Sequence, residues 1–558
     1  MYLQHEVGCW GKEGCPVKKI RRAYAIGAMA AMLSMSVLFT GCGGSDGAKS
    51  SEKKDSAVVY MGTRSEPKMG FDPLKGYGNT DGHSVFQNCL LQLNGDLSFE
   101  KEIAEDYTIS EDGLTYTFKL RDVKCSDGEP FTSEDVKFTF EEAAKNAFVG
   151  NLGDIDNIET PDPHTVIFHM KKPNSLFIYT IARLPLVPKH AYNEDYGRNP
   201  IGTGPFKMVQ WNQGQQMIVE ANPYYFKGEP KLKKVTFLFV NGEAALQAAK
   251  AGQIDVYNVP YNYATVPIEG SHLESFKSVG KFVMMLPVLK PGEATHPDGK
   301  PVGNPVTSDP AIRKALNYGI DREAIVKNLM NGYGSPAYDC VDPELQTYYN
   351  AETSYKDNDI EKAKAILAEG GWKDTNGNGT VDKDGQEADI VVMANAGDKM
   401  LQNVAMLVSD QAKRIGINIT LEPKSAEEMN MRQHQDCKLI NYGSLDPMNI
   451  YYLYYGPNSG KGFYNMSYFN NPTVNSYIEQ AMTAPNNEIA NEFWKKAQWD
   501  GTTGFSVKGD PSILWLVNKY YIYQIKDGFS IGKQDPLQPA GMDWPITRNI
   551  ETWGWDEK

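Results

Sequence analysis

Strict alternation of apolar and polar side chains marks several short segments of this chain. Residues 113–120 read Gly-Leu-Thr-Tyr-Thr-Phe-Lys-Leu, and every second side chain from Leu114 on is apolar. Successive side chains of a β-strand point to opposite faces, so this pattern predicts a strand with one buried face. Similar reasoning predicts strands at residues 58–60, 165–170, 234–240, 390–393 and 417–421.

Helix starts are marked by residues that can cap them. Thr132 and Ser133 precede Glu134 and Asp135, an order of hydroxyls and acids that is typical of a first helical turn. Further helices are predicted at residues 243–251, 309–318, 321–330, 359–369 and 399–415. Because helices and strands alternate through most of the chain, the pattern predicts an α/β architecture.

The N-terminal 41 residues have the features of an export signal. A basic segment, residues 18–22, precedes an apolar run at residues 23–39 and then Thr40-Gly41-Cys42. The run is shorter than the ~20 residues of a membrane-spanning helix, and small residues before a cut are typical of a secretory signal. The ending resembles a bacterial lipoprotein signal. That resemblance implies a signal peptide over residues 1–41 and a lipid on the sulfur of Cys42; an ordinary secreted protein cut nearby is the alternative.

Residues 42–56 are mostly Gly, Ser, Lys and Asp, with almost no apolar side chain. Such a composition cannot form a packed core and predicts a flexible tether. Lipid and tether together would hold the rest of the chain at the outer face of the cytoplasmic membrane, or in the periplasm, without embedding it.

Charge and motif content argue against several classes of function. The chain has 56 Lys and Arg against 70 Asp and Glu, which disfavours nucleic acid as a partner because phosphate binding needs clustered cations. The sequence has no zinc-type Cys and His spacing, phosphate loop or nucleophile elbow, so we predict no catalytic residue, metal site or cofactor and do not expect an enzyme. Four cysteines are expected to be unpaired buried thiols, with disulfides as the alternative: Cys89, Cys125, Cys340 and Cys437.

Several longer runs are more specific than the element pattern. The most specific is residues 199–206, Asn-Pro-Ile-Gly-Thr-Gly-Pro-Phe. Other matching runs are residues 97–140, 222–228, 248–255 and 311–334. Together they resemble the extracellular solute-binding proteins of family 5, the peptide- and nickel-type binding lipoproteins of ABC importers. The likeness extends from about residue 57 to the C-terminus.

The resemblance implies a periplasmic-binding-protein-like type II fold with three lobes, the first of them discontinuous, and a ligand cleft between the lobes. Carried over, lobe I comprises residues 57–90, 204–285 and 526–558, lobe II residues 91–203, and lobe III residues 286–525. The run that contains Gly202, Gly204 and Pro205 lies where the chain crosses between lobes, and we interpret it as a hinge. The glycines are expected to permit backbone conformations that other residues avoid, and the proline to restrict the exit from the turn.

The function that the resemblance implies is capture of a short peptide or a related small ligand and its delivery to the permease subunits of an ABC importer. The protein would be a monomer that reaches the membrane only through its lipid. Two alternatives stay open: a nickel or metal-chelate binder of the same family, and a ligand-sensing receptor on the same fold.

Peptide binders of this family place an aspartate shortly before an Asp-Pro turn to hold the amino terminus. Alignment on Asp446 and Pro447 puts Gly443 at that position. Asp446 itself is compatible with a turn or cap, and Arg183 with either a carboxylate ligand or a salt bridge to a neighbouring acid. The full set of candidate ligand-binding residues is Tyr77, Asp81, Arg183, Tyr442, Gly443, Ser444 and Asp446.

Residues 374–382 place oxygen-bearing side chains as the start of a calcium loop does. Gly385 stands where the loop needs its bidentate acid, so a plain Asn-Gly turn is the preferred interpretation.

Overall fold

The computed structural model describes residues 54–62, 65–77, 84–145, 152–461, 464–541 and 544–556. The predicted signal peptide, Cys42, most of the predicted tether and the candidate Asp81 lie outside these ranges. Within them, no helix is both long enough and apolar enough to cross a bilayer.

The strands of the described residues are numbered in chain order. They are β1 Ser56–Tyr60, β2 Leu91–Leu93, β3 Phe99–Lys101, β4 Ala104–Ile109, β5 Thr115–Leu120, β6 Val123–Lys124, β7 Pro130–Phe131, β8 Ile155–Asp162, β9 Thr165–Met170, β10 Phe206–Asn212, β11 Gln216–Ala221, β12 Lys234–Leu238, β13 Val256–Asn258, β14 Ser271–Met285, β15 Gly334–Pro336, β16 Asp382–Lys383, β17 Gln386–Glu387, β18 Asp389–Asn395, β19 Asn418–Lys424, β20 Cys437–Tyr442, β21 Ile513–Lys526, β22 Phe529–Ser530, β23 Leu537–Gln538 and β24 Gly554–Trp555.

The α-helices of the same residues are numbered likewise. They are α1 Ser133–Ala143, α2 Phe177–Ile181, α3 Gly242–Lys250, α4 Pro310–Gly319, α5 Arg322–Leu329, α6 Ile360–Glu369, α7 Lys399–Lys413, α8 Ala426–Arg432, α9 Met448–Tyr454, α10 Pro472–Met482 and α11 Asn487–Gln498. Every strand and helix predicted from the sequence pattern is confirmed, with small shifts at the ends.

The helix caps follow the predicted chemistry. The side chains of Asp309, Asp321 and Asp359 each accept a hydrogen bond from a backbone N–H in the first turn of α4, α5 and α6. At α1 the Thr132 N–H donates to the Asp135 carboxylate at 2.8 Å. These bonds satisfy backbone donors that a helix start otherwise leaves unpaired.

Two sheets organise the fold. The larger has the strand order β10-β11-β12-β1-β13-β21-β14-β20-β18-β19, with β15 added to β21 and β23 added to β14. The smaller is an antiparallel sheet, β4-β5-β9-β8, and lies within the predicted lobe II. We keep the names lobe II and lobe III for residues 91–203 and 286–525; their boundaries stay a prediction.

The long strands β14 and β21 run through both halves of the large sheet and change register twice, at residues 277–281 and again between Phe282 and Val283. Lys277 pairs with Tyr520, but Lys281 pairs with Asn518, so residues 278–280 form a bulge opposite a single residue. On one side of the bulge the sheet continues to β1 and β10–β13, and on the other to β18–β20.

A buried ion pair lies at this bulge. The Lys281 side chain has no exposed surface, and its Nζ lies 2.5 Å from Asp342 Oδ2 and 3.1 Å from the carbonyl oxygen of Val279. Asn518 Nδ2 donates to the other oxygen of Asp342 at 2.7 Å. The ammonium therefore ties the bulge to a carboxylate that is itself hydrogen-bonded to the partner strand.

The predicted hinge run forms a second close crossing. A Cβ on Gly202 would lie 2.4 Å from the carbonyl oxygen of Phe86, and one on Gly204 would lie 2.4 Å from the Phe86 carbonyl carbon. Neither glycine has a left-handed φ, so the conformational reason given for them is wrong. They are needed because two backbones touch: the Gly204 N–H donates to Phe86 O at 2.8 Å, and Pro205 O accepts from the Asn222 N–H at 2.8 Å.

Among the described residues, Cys89, Cys125, Cys340 and Cys437 are buried and none of them forms a disulfide, as predicted. The loop at 374–382 forms a turn in which Asp374 accepts backbone hydrogen bonds from Gly377 and Gly379 at 2.7 and 2.9 Å.

Replacement of Lys281 by Met should lower the free energy of unfolding by about 3–5 kcal/mol, because Asp342 would stay buried without its countercharge. The matched control is Lys277→Met on the same strand, where the ion pair with Glu344 is solvent-exposed and contributes at most about 1 kcal/mol. Urea unfolding of the three chains measures both values. Equal, small losses would show that the buried pair does not hold the bulge.

Candidate ligand-binding site

Arg183 contacts the candidate segment of lobe III directly. It follows helix α2 in lobe II, and its Nη1 lies 3.0 Å from Asp446 Oδ2 and 3.3 Å from Ser444 Oγ. The Arg183 side chain is 18% exposed and the Asp446 side chain 1%, so the pair is largely removed from water. Of the two alternatives for Arg183, this structure contains the salt bridge.

Asp446 has a second partner, which accounts for the turn chemistry expected of it. Its Oδ1 accepts the Met448 N–H at 3.0 Å, at the start of α9. One carboxylate therefore caps a helix with one oxygen and neutralises Arg183 with the other. The turn interpretation of Asp446 is confirmed, and its role in ligand binding stays a prediction.

Gly443 lies against the β14 bulge. A Cβ at this position would stand 2.1 Å from the carbonyl oxygen of Val279 and 3.0 Å from the Cα of Gly280. Real side chains do not approach backbone this closely, so an aspartate cannot be placed here without moving a buried strand. In this structure the β14 bulge therefore leaves no room for an amine-binding acid at position 443.

Tyrosines surround the charged pair. Tyr452 and Tyr464 stack with ring centroids 4.5 Å apart, and Tyr442 is the last residue of β20. Burial is the largest single influence and lowers the pKa of Arg183, but Asp446, Tyr452 and Tyr442 together outweigh it, so the pKa is raised overall. Burial also raises the pKa of Tyr442 well above its usual value. The arginine is cationic and the tyrosines are neutral hydrogen-bonding groups in this setting.

Tyr77, the other candidate among the described residues, lies elsewhere. Tyr77 packs edge-on against Phe71 and Trp544, with ring centroids 5.0 and 6.1 Å away, in a core cluster separate from the one that contains Leu445. The structure therefore brings together four candidates, Arg183, Tyr442, Ser444 and Asp446, and places Gly443 between them and the bulge.

Two buried acids near Tyr442, Asp339 and Asp342, were not predicted from the sequence. Lys281, which pairs with Asp342, is also the cross-strand partner of Tyr442. Close by, Asp339 is 5% exposed; its Oδ1 accepts the Cys340 N–H at 2.6 Å, whereas Oδ2 has no hydrogen-bond partner. The one available signal in the sequence was a lysine within the apolar run that ends β14.

Replacement of Gly443 by Ala should lower the free energy of unfolding by about 1–3 kcal/mol, because the methyl group overlaps the Val279 carbonyl. Ser444→Ala, one residue further, removes only a long hydrogen bond to Arg183 and serves as the control. Thermal and urea unfolding of both variants compare the effects. An alanine that is tolerated at position 443 would mean that the bulge yields and that the backbone does not exclude a side chain.

Burial raises the pKa of Asp339 to about 6 from the usual 3.8; nearby Asp342 adds to the rise, while the Cys340 N–H and Lys281 oppose it. The folded chain therefore holds a proton between about pH 4 and pH 6 that the unfolded chain has lost, and Asp339 makes the fold less stable as pH rises through this window. His434, whose pKa burial lowers to about 4, has the opposite effect over an overlapping range.

Asp339→Asn, which resembles the protonated acid, should therefore gain stability relative to the unaltered chain as pH rises from 4 to 7. The gain is about 3 kcal/mol, because the pKa of Asp339 is about 6 in the folded chain and 3.8 in the unfolded chain. Urea unfolding of both chains at several pH values gives the difference and cancels the contribution of His434. A difference independent of pH would contradict the raised pKa of Asp339.

Comparison with known proteins identifies the family. The family model for the middle region of the bacterial extracellular solute-binding proteins, family 5, matches residues 98–476. Among curated relatives, the oligopeptide-binding protein AppA of Bacillus subtilis (strain 168) is 30% identical over 431 residues, covering 72% of this chain and 76% of AppA. Protein XP55 of Streptomyces lividans is 28% identical over 547 residues, covering 94% of this chain and 95% of XP55.

Solved structures agree on the fold. NikZ of Campylobacter jejuni in complex with Ni(L-His) has a TM-score of 0.74 at 22% identity and covers 90% of this chain and 99% of NikZ. The AppA structure, in complex with a nonapeptide, has a TM-score of 0.72 at 23% identity and covers 91% of this chain and all of that chain. The predicted α/β fold, of the periplasmic-binding-protein type II class, is confirmed. This chain belongs to the bacterial extracellular solute-binding proteins, family 5.

Proposed function

We propose that this protein is the substrate-binding lipoprotein of an ABC importer, which captures a short peptide or a related small ligand and delivers it to the membrane permease. Family membership makes it a binding protein by descent, and its family is not one of enzymes. Relatives named as oligopeptide-binding and peptide-binding proteins of ABC transporters support the peptide class.

The observation that carries the proposal is the meeting of Arg183 with Ser444 and Asp446. The arginine and the aspartate are 263 positions apart in the chain and belong to different predicted lobes. A largely desolvated charged pair ringed by tyrosines, at a contact between lobes, has the makings of a recognition site: few polar groups with fixed directions among aromatic surface. Closure of the lobes about Gly202, Gly204 and Pro205 would enclose a ligand there.

The proposed location of the protein rests on the signal predicted from its sequence. Export by the signal over residues 1–41 and a lipid on Cys42 would keep the monomeric body near the permease at the outer face of the cytoplasmic membrane. Globomycin treatment or Cys42→Ser should release the protein from the membrane fraction or stop its maturation. A protein whose mass and location are unchanged by both would contradict the lipid anchor.

A metal chelate is the second candidate, and the surroundings of Gly443 favour it. The backbone of β14 prevents an acid at this position from holding a free amino terminus. Arg183 and the neighbouring tyrosines offer instead groups that bind carboxylate oxygens, and NikZ, of the same fold, was solved with Ni(L-His). Such a ligand would bring its own donor atoms to the metal.

Purification without denaturation, followed by native mass spectrometry and metal analysis, decides between the two. Co-purified peptides support the first candidate, and a transition metal with a small chelator supports the second. If neither is recovered, calorimetric titration with a peptide library and with Ni(L-His) follows. A chain that binds none of them would contradict the proposed function.

Arg183→Met should weaken binding of the identified ligand by more than tenfold, because it removes the cation of the site and leaves Asp446 buried without a countercharge. Arg414, an exposed arginine on lobe III, provides the control Arg414→Met, which should bind as the unaltered chain does. Calorimetry measures both affinities, and thermal unfolding checks that the variants are folded. Equal affinity of the two variants would remove Arg183 from the site.

A further inference from the structure

We propose that Ser175 is a positioning residue for ligand capture. It caps the C-terminus of helix α10 from the opposite lobe and thereby sets the fraction of molecules in the closed form. The proposal rests on the proposed function, in which lobes II and III close over a ligand. It concerns a residue outside the set that surrounds Arg183.

Ser175 makes two hydrogen bonds across the lobe contact. Its backbone N–H donates to the carbonyl oxygen of Met482 at 2.8 Å, and its hydroxyl donates to the carbonyl oxygen of Ala481 at 2.8 Å. Ser175 belongs to lobe II and lies 306 positions before Ala481 in the chain. At 7% exposure it is shielded from water in this arrangement.

The acceptors are carbonyls of a helix end, which have no partner within the helix. The last four carbonyls of an α-helix need outside donors, usually from the next few residues of the same chain. In α10 the Thr483 N–H donates to Glu479 O, and the Ala484 N–H makes a long bond of 3.3 Å to Ala481 O, which also accepts the Ser175 hydroxyl. Met482 O accepts the Ser175 N–H. Part of a cap that is normally local is therefore supplied by another lobe.

Lobe II holds Ser175 ready for this contact. The Asn174 side chain accepts the Leu176 N–H at 3.0 Å and donates to Asp154 at 3.2 Å, and the Asn174 carbonyl accepts the Tyr116 hydroxyl at 3.2 Å. These partners all belong to lobe II. Because the turn around Ser175 is built without lobe III, closing has only to bring the helix end to a donor pair that is already in place.

The contact is separate from the charged pair and differs from it in kind. Arg183 lies beyond helix α2 from Ser175 and meets Asp446 through charges, whereas Ser175 meets only backbone. Opening would expose the carbonyls of Ala481 and Met482 to water, which replaces the lost bonds in part. A hydroxyl bond of this kind changes an equilibrium by about fivefold, which is enough to shift a closed population without deciding whether the chain folds.

Hydrogen exchange of the full-length protein tests the inference without a ligand. Amides at residues 175–184 and 481–484 should exchange about fivefold faster in Ser175→Ala than in the unaltered chain, because the open form is more populated. Amides of β5, in the core of lobe II, should exchange as before. Ser467→Ala is the matched control: its hydroxyl donates to Ser512 O at 3.0 Å within lobe III, and its loss should leave residues 175–184 unchanged.

The outcomes separate this inference from the proposed function. Unchanged exchange at residues 175–184 in Ser175→Ala, or an increase that β5 shares, would overturn the role of Ser175. An increase confined to the two lobe-contact segments supports it. A different measurement tests the proposed function: it would be contradicted if the unaltered chain bound neither peptides nor Ni(L-His) in calorimetry.

Discussion

The arrangement of the large sheet depends on one pair of strands, β14 and β21, and on the buried ion pair at the bulge of residues 278–280. These strands belong to both halves of the large sheet, so their mutual register sets how the halves are joined. A bulge leaves backbone groups without partners in the sheet. The Lys281 ammonium compensates by donating hydrogen bonds to both Val279 O and Asp342. Burial of such a pair is costly in isolation, and it defines a geometry as much as it adds stability.

The conformation of the candidate segment, residues 442–446, depends on that bulge. Tyr442 is the cross-strand partner of Lys281, and the next residue, Gly443, rests on the Val279 carbonyl. From there the chain turns through Ser444 to Asp446. The Asp446 carboxylate accepts the backbone N–H of the first residue of α9 and forms the ion pair with Arg183. Strand β14, in the middle of the sheet, thus limits which side chains fit at position 443. Replacement of a surface loop would not change this restriction.

The sequence predicted the elements and the family well because both depend on local patterns. Period-two strands and aspartate caps such as Asp309, Asp321 and Asp359 are readable from a few neighbouring residues. Asp446 was found through the resemblance and Arg183 as a cation that could bind a carboxylate, but their contact was not predicted, since nothing local links positions 263 apart. The role of Gly202 and Gly204 was misjudged for a related reason: a close approach depends on the distant Phe86, whereas a left-handed φ depends on the residue itself.

Two ion pairs of similar chemistry have different consequences because of what they join. Lys281 and Asp342 are almost fully buried, at 0% and 3%, and both belong to the strand and loop structure around one bulge, so their separation requires unfolding. Arg183 and Asp446 join the predicted lobes II and III, and under the proposed function they would separate when the lobes open.

Once separated, Asp446 keeps its hydrogen bond from Met448 but loses its countercharge. A ligand that took Arg183 for its own carboxylate would therefore leave an uncompensated buried acid, unless it also brought a cation or left the pair in contact. If the ligand binds here as proposed, we expect a preference for ligands of balanced charge, a condition that a zwitterionic peptide end and a metal held by an anionic chelator both meet.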